Sequence, residues 1–203
     1  MSRFPMLKDI AGVCALVVGG GPVALRRGEI LAQFGARVRI VAPEIADEPL
    51  NPAVEYVQKK FDADDLRDVQ MVVVATDDHA LNAQIAQLCR AQKIEVNAAD
   101  DAKASTFHFP AIVRRGDMTV AVSAGDAGPL AAKYVRERIE AALPENFERV
   151  LECMACARAL ARKEIIGQQE RAQVLKEVFA RCLEGEFPDE TALEGIFHRP
   201  SCT

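Results

Sequence analysis

Two hydrophobic periods divide this chain. In the first half, short runs that are apolar at nearly every position alternate with stretches that repeat every three to four residues. Val13 to Val18 and Met71 to Ala75 are such runs, the mark of strands buried on both faces. Between them, Pro22 to Phe34 carries Val23, Ile30, Leu31 and Phe34 on one helical face and stops at Gly35. Further strands are predicted over 38–42, 54–57 and 94–97, and a helix over 78–91. Strand, helix, strand in this rhythm implies right-handed crossovers and an α/β, doubly wound, mostly parallel sheet. The period then changes. Residues 106–114 and 118–123 read as two strands joined by the turn Arg115-Gly116-Asp117, with no helix between them. From Pro129 on the pattern is helical, over 130–143, 146–163 and 168–183, with breaks at Pro144 and Gly167. A short helical piece over 191–197 lies in a weakly patterned tail after Pro188 that is expected to be loose.

Composition narrows the classes. The 203 residues are 50% hydrophobic and 27% charged, as in an ordinary globular protein. No apolar run approaches the roughly 18 to 20 residues of a membrane-spanning helix, so no membrane association is expected. The N-terminus has no apolar stretch of signal length before Lys8 and Asp9. With six cysteines, too few for a disulfide scaffold, this predicts a cytoplasmic protein. A net charge of −5 argues against nucleic acid as a partner.

Chemistry enters at the turn after the first strand. Gly19, Gly21 and Ala24 fit G-x-G-x-x-A, the dinucleotide fingerprint of a Rossmann-like domain. The first glycine permits the tight turn, the second lets a pyrophosphate approach the backbone, and the small third residue lets helix and strand pack closely. The free N–H groups at the helix start then face the phosphates. The fingerprint also expects an acid about 20 residues on, to hold the ribose. Here the acid is Glu44, after Ala42-Pro43; either its carboxylate reaches the 2′-hydroxyl or the Pro43 backbone serves. No arginine follows at once to hold a 2′-phosphate, which favours NAD over NADP. Two other strand ends bring polar residues to the same edge, Thr76-Asp77-Asp78-His79 and Asn97-Ala98-Ala99-Asp100-Asp101. For Asp77, Asp78 and His79 a helix cap and first turn is the preferred reading. Asp100 is the candidate catalytic base, beside the nicotinamide end of the cofactor; a turn aspartate is the competing reading.

These residues carry a family resemblance. Residues 17–24 (VVGGGPVA), 75–78 (ATDD), 97–110 (NAADDAKASTFHFP) and 120–125 (VAVSAG) resemble the precorrin-2 dehydrogenase part of siroheme synthase. The resemblance implies an NAD-dependent oxidation of precorrin-2 to sirohydrochlorin, with NAD as cofactor and a homodimer as the assembly. It implies Asp100 as the essential aspartate and Pro22, Val23, Pro43 and Glu44 as residues of the NAD site. With Gly19, Gly21, Ala24, Thr76 and Asn97 these complete the cofactor set, while Lys103, Arg114, Ser123 and Gly125 are the candidates for the substrate. The expected domains are 1–112, an NAD-binding Rossmann domain; 113–145, a dimerisation segment including a strand pair; and 146–203, a C-terminal helical domain. The chain departs from the resemblance where Ser123 is followed by Ala124, so the second of two adjacent serines found in some members is missing. Its length leaves no room for a methyltransferase half, so precorrin-2 is expected from another polypeptide.

Charge fits an eight-carboxylate substrate only locally. Lys103, Arg114, Arg115, Lys133, Arg136 and Arg138 fall within one stretch, two or three of them expected at the substrate, and residues 125–129 open a helix that can receive a carboxylate. The helices after Pro129 carry more apolar positions than one small sheet needs, which also predicts a symmetric dimer. Cys153 and Cys156 form a CxxC on a predicted helix; Cys182, His198 and Cys202 add ligands only if the tail folds back, so no metal site is assigned. His108, between Phe107 and Phe109, is read as a polar residue facing away from both rings. Met154, Leu160, Val174 and Leu175 are read as core or dimer contacts. Two alternatives stand beside the dehydrogenase: the same cleft also inserting iron into sirohydrochlorin, and a non-enzymatic module that senses NAD through its helices.

Overall fold

The computed structural model describes residues 4–46 and 51–197. The chain divides into two units, Phe4–Phe109 and the part from Pro110 on.

In the first unit β1 (Cys14–Val18), β2 (Arg37–Ala42), β3 (Val54–Gln58), β4 (Met71–Val74) and β5 (Glu95–Ala98) form one sheet in the order β3-β2-β1-β4-β5. Every pairing is parallel, and Val17 of β1 sits in register with Ile40 on one side and Val73 on the other. The apolar runs are explained by two covered faces. Ala15, Val17, Met71 and Val73 pack with Ala24 and Leu31 of α1 (Pro22–Gln33). Their neighbours Leu16, Val18, Val72 and Val74 pack with Ile85, Ala86 and Cys89 of α2 (His79–Ala91). Alternate side chains thus serve opposite layers. Leu16, Val17, Val72, Val73 and Val74 have no exposed surface, and burying such a side chain stabilises by about 1.5–3 kcal/mol relative to leaving it exposed. Strand order reverses between β1 and β4, which opens a crevice at the carboxyl ends of these strands.

One strand is shorter than the pattern implies. β6 begins at Ala111, not Thr106. Residues 106–110 pair their backbone with that of β5 at Thr106, whose N–H donates to the Val96 carbonyl at 2.7 Å and whose hydroxyl accepts from the Val96 N–H at 2.8 Å. Pro110 has no N–H with which to carry a ladder onward. Phe107 and Phe109 nonetheless lie on one side, their rings 5.6 Å apart against the α1-side core, with His108 half-buried between them.

In the second unit β6 (Ala111–Arg115) and β7 (Met118–Val122) form an antiparallel pair with Val113 opposite Val120. α3 (Pro129–Ala142) packs on them. α4 (Phe147–Glu164), α5 (Gln168–Leu183) and α6 (Glu190–Phe197) share a separate core that includes Val150, Ala157, Leu160, Val178, Cys182 and Leu193, with Met154, Val174 and Leu175 at its margin. The expectation of a loose tail fails up to Phe197. α6 is started by Asp189, whose carboxylate accepts from the Ala192 N–H at 2.8 Å. Leu193, Ile196 and Phe197 then fall on one buried face. So short a helix draws its stability from packing rather than from its own sequence pattern. Among the described residues no helix is long and apolar enough to cross a membrane.

Candidate active site

The glycine turn is built by exclusion. Gly19 has φ +131°, and a Cβ there would stand 2.2 Å from the Ala75 carbonyl oxygen at the end of β4. A Cβ on Gly20 would stand 1.9 Å from the carbonyl oxygen of Glu44, so the chain leaving β2 passes directly over the turn. Gly21 is different: nothing lies within 4 Å of a Cβ placed on it. It faces open space at the start of α1, where no side chain caps the helix and Pro22 occupies the first turn. The Val23 and Ala24 N–H groups remain for an anion, and no acidic residue lies in that turn to oppose one. Ala24 is fully buried, and a Cβ on Gly28, one turn on, would meet Ile40 at 2.9 Å. Close packing of helix on sheet therefore rests on two small residues, of which Gly28 was not singled out. A glycine inside a helix costs about 0.5–1 kcal/mol relative to alanine, and that penalty was the available signal. Pro43 and Glu44 are exposed just past β2, beside the turn. This cradle fits a dinucleotide: an open glycine, uncapped amides and an acid at the second strand's end.

A polar network occupies the ends of β4 and β5. Asn82, 1% exposed, faces inward from α2. Its amide donates to the Thr76 carbonyl at 2.9 Å and to Asp100 Oδ2 at 3.0 Å, while its oxygen accepts from the Thr76 hydroxyl at 2.6 Å. Asp78 caps α2 by accepting from the Leu81 N–H at 3.0 Å, as expected. His79 does more than occupy the first turn. Its Nδ1 lies 2.5 Å from Asp100 Oδ2, with 81% of the imidazole exposed against 25% of the Asp100 side chain. The hydrogen bonds of Asn82 and His79 hold the Asp100 carboxyl below the usual carboxylate range, against the effect of burial. In return Asp100, first through its hydrogen bond and then through its charge, lifts His79 above the ordinary histidine value; Asp78 and Asp77 add to the rise. Asp101 is spent on its own turn, accepting from the Lys103 N–H at 2.7 Å and the Ala104 N–H at 3.2 Å. Asn82 was missed in the sequence, although an asparagine on the apolar stripe of Ile85, Ala86 and Cys89 signals a buried hydrogen bond.

The remaining candidates distribute as follows. Thr76 lies at the end of β4 with its hydroxyl engaged by Asn82 and Asp78. Asn97 is 4% exposed; its oxygen accepts from Arg27 at 2.7 Å and its amide donates to the Phe107 carbonyl at 2.9 Å. Arg27 in turn stands 5.4 Å from the Phe109 ring centre, and burial lowers its pKa. Lys103 is exposed in the same unit. Arg114, Ser123 and Gly125 belong to the second unit, each exposed. Several neighbouring cations there are held by glutamates: Arg115 and Arg136 share Glu140 at 3.3 and 3.2 Å, and Lys133 lies 3.9 Å from Glu137. Arg138 stacks over Tyr134. Among the described residues no three His, Cys, Asp or Glu side chains are grouped to hold a metal. Cys153 is half-buried, Cys156 exposed, and the Cys182 thiol is pushed up to about 12 by burial and by Cys153 beside it. His198 and Cys202 lie outside the described residues.

Fold and turn together define a dinucleotide-binding domain of the doubly wound class. The profile of the NAD_binding_7 family, described as "Putative NAD(P)-binding", matches residues 6–111, and the chain belongs to that family. It is 34% identical over 97% of its length to a siroheme synthase of Nitrosococcus oceani, covering 45% of that protein. It is 38% identical over 72% of its length to one from Tolumonas auensis, covering 32% of it. The chain thus spans less than half the length of the curated relatives it matches. Among solved structures it is similar to "SirC, precorrin-2 dehydrogenase", with TM-score 0.73, 25% identity and 96% of each chain covered.

Proposed function

We propose that this protein oxidises precorrin-2 to sirohydrochlorin with NAD. The observation that carries the reading is the Asp100–His79 pair, at the carboxyl edge of the sheet that also bears the open glycine turn. The likeness to a precorrin-2 dehydrogenase along the whole chain supports it. Residues 19–24 hold the pyrophosphate through free amides, and Pro43 and Glu44 border the adenosine ribose. When bound, NAD supplies a hydride acceptor. The protein must then supply a place for the proton, and the Asp100 carboxylate anchors that place. Lys103 of the sheet unit is the candidate to receive a substrate carboxylate, and Arg114, Ser123 and Gly125 are the second unit's own exposed candidates. Glu44 favours NAD over NADP, because its carboxylate accepts from a ribose hydroxyl but repels a 2′-phosphate.

A homodimer suits the second unit. α3 exposes 80% of Leu130, 58% of Tyr134 and 42% of Val135 beside a strand pair whose outer edges are unpaired among the described residues. The working compartment is the cytoplasm, in keeping with five described cysteines that are all free thiols. A second reading adds iron insertion into sirohydrochlorin; the same pair supports it, since the macrocycle must lose protons before a metal enters.

An anaerobic assay with precorrin-2 and NAD, followed by the visible spectrum of the macrocycle and by NADH, tests the reading. Formation of both products supports it, and NADH-free, unchanged precorrin-2 rejects it. A parallel arm with ferrous iron reads the second activity. Asp100→Ala should lower turnover roughly 10²-fold while leaving NAD bound, and Asp101→Ala should do little. Titration with both cofactors checks Glu44: NADP binding as tight as NAD rejects that role.

A further inference from the structure

Removing two hydrogens from precorrin-2 divides into a hydride for the dinucleotide and a proton for the protein. Two groups of the network compete for that proton, and they differ in what they are free to do. Asp100 Oδ2 already accepts from Asn82 at 3.0 Å and contacts His79 Nδ1 at 2.5 Å, with only a quarter of its side chain exposed. A carboxylate stabilised by two donors is a weak base. His79 has the opposite profile: one ring nitrogen is held by Asp100, and 81% of the side chain is open at the strand ends. We infer that His79 is the proton-accepting residue of the reaction, taking the proton on Nε2 while Asp100 fixes the ring through Nδ1 and Asn82 fixes Asp100.

The inference rests on the dehydrogenase reading above. In the form competent to react the imidazole is neutral, with its Nδ1–H donating to Asp100. The substrate proton forms an Nε2–H bond, and the resulting imidazolium is stabilised by the carboxylate beside it. Because the ring is exposed, water then takes the Nε2 proton and restores the neutral ring. Asp100 and Asn82 are positioning residues in this scheme. Thr76, bonded to Asn82 through its hydroxyl and carbonyl, holds the amide in its rotamer. The charged groups facing His79 are Asp100 from the loop after β5 and Asp77 and Asp78 from its own loop. All three are acidic and raise its proton affinity. A base must be unprotonated to act, so turnover should fall as pH falls through a value above the ordinary histidine pKa of about 6.5. Asp100 acting alone would titrate below the usual carboxylate range and leave turnover flat there.

Two measurements on the full-length protein test this. The first is a pH profile of kcat and kcat/KM for wild type, His79→Gln and Asp100→Asn, with NAD affinity measured beside each. The second follows the imidazole resonances by NMR without substrate, assigned with the His79→Gln variant. Support is a wild-type profile with an ionisation above about 6.5 that His79→Gln removes, with turnover lowered roughly 10²-fold and NAD affinity kept. The His79 resonance should titrate in the same range and move down in Asp100→Asn. A His79→Gln variant with wild-type turnover and profile overturns the inference and leaves Asp100 as the base. A wild type that oxidises no precorrin-2 at any pH, with His79 still titrating high, overturns the functional reading and this role with it, and the NMR result distinguishes that case from the first.

Discussion

The sheet unit and the helical unit use polar residues in opposite ways. In Phe4–Phe109 the interior is sealed by alternating apolar side chains, and polar groups gather at one edge. There Asn82 bonds to Asp100 and Arg27 to Asn97, across 18 and 70 positions of sequence. In the part from Pro110 on, the ionic contacts of α3 are mostly local, as in Lys133–Glu137 and Arg136–Glu140 at i,i+4. Long-range bonds between buried polar groups fix geometry to fractions of an ångström. Exposed pairs one helical turn apart add little to stability and leave the geometry loose. The difference places the long-range polar network in the first unit, while the charges of α3 in the second lie mostly in local pairs.

The sharpest break in that comparison lies in the glycine turn. Gly20→Ala puts a Cβ against a backbone carbonyl that cannot move without displacing the chain after β2. Gly19→Ala adds a left-handed φ to the same kind of clash. Each should cost about 3 kcal/mol or more in urea unfolding, from overpacking and strain together. Gly21→Ala should be neutral for stability, since its Cβ meets nothing. Yet it should weaken NAD binding at least about tenfold, or about 1.4 kcal/mol. Equal stability losses at all three positions would show that the turn is scaffold alone.

A middle-sized effect concerns the one buried acid among the described residues of the first unit. Asp65 is 6% exposed, 2.7 Å from Lys59, and accepts from the Asp62 N–H at 2.9 Å in a reciprocal cap. Burial pushes its carboxyl up, but Lys59 and the Asp62 amide outweigh that and leave it below the ordinary 3.8. A lowered folded pKa means that the stabilisation is complete above the unfolded value and is lost as pH falls through the folded one. Asp65→Asn should therefore cost roughly 1–2 kcal/mol near neutrality and less in strong acid. A loss that does not shrink with acid would assign Asp65 a purely steric role.

The sequence made the sheet legible because a strand buried on both faces has only one pattern to show. Val13–Val18 and Met71–Ala75 could not be mistaken for half-exposed strands. The glycine turn was legible for a similar reason, since its spacing is dictated by the ligand geometry. His79 was read as a helix start because its cap, Asp78, is local, whereas its partner Asp100 lies 21 positions away. No periodicity encodes which of two loop residues will meet. A short helix over 191–197 was legible but its packing was not, because four apolar residues in eight positions are a weak signal until α4 and α5 supply the surface they bury against.

The smallest effect tests the second unit's charges. Arg136 lies within ion-pair distance of both Glu137 and Glu140, and Glu140 is shared with Arg115; about a third of each arginine and of Glu140 is exposed, and half of Glu137. Removing one arginine leaves Glu140 its other partner, so Arg136→Ala should cost about 0.5 kcal/mol and less at high salt. The same accounting bears on substrate. A guanidinium already neutralised by two carboxylates offers little net charge to an anionic macrocycle, whereas exposed Lys103 offers a whole one. Lys103→Ala should therefore raise the KM for precorrin-2 severalfold, roughly the worth of one partly screened ion pair, and Arg136→Ala should leave it nearly unchanged. The reverse order would mean that substrate displaces the glutamates. The ion pairs of α3 would then be a resting state of the binding surface rather than its permanent structure.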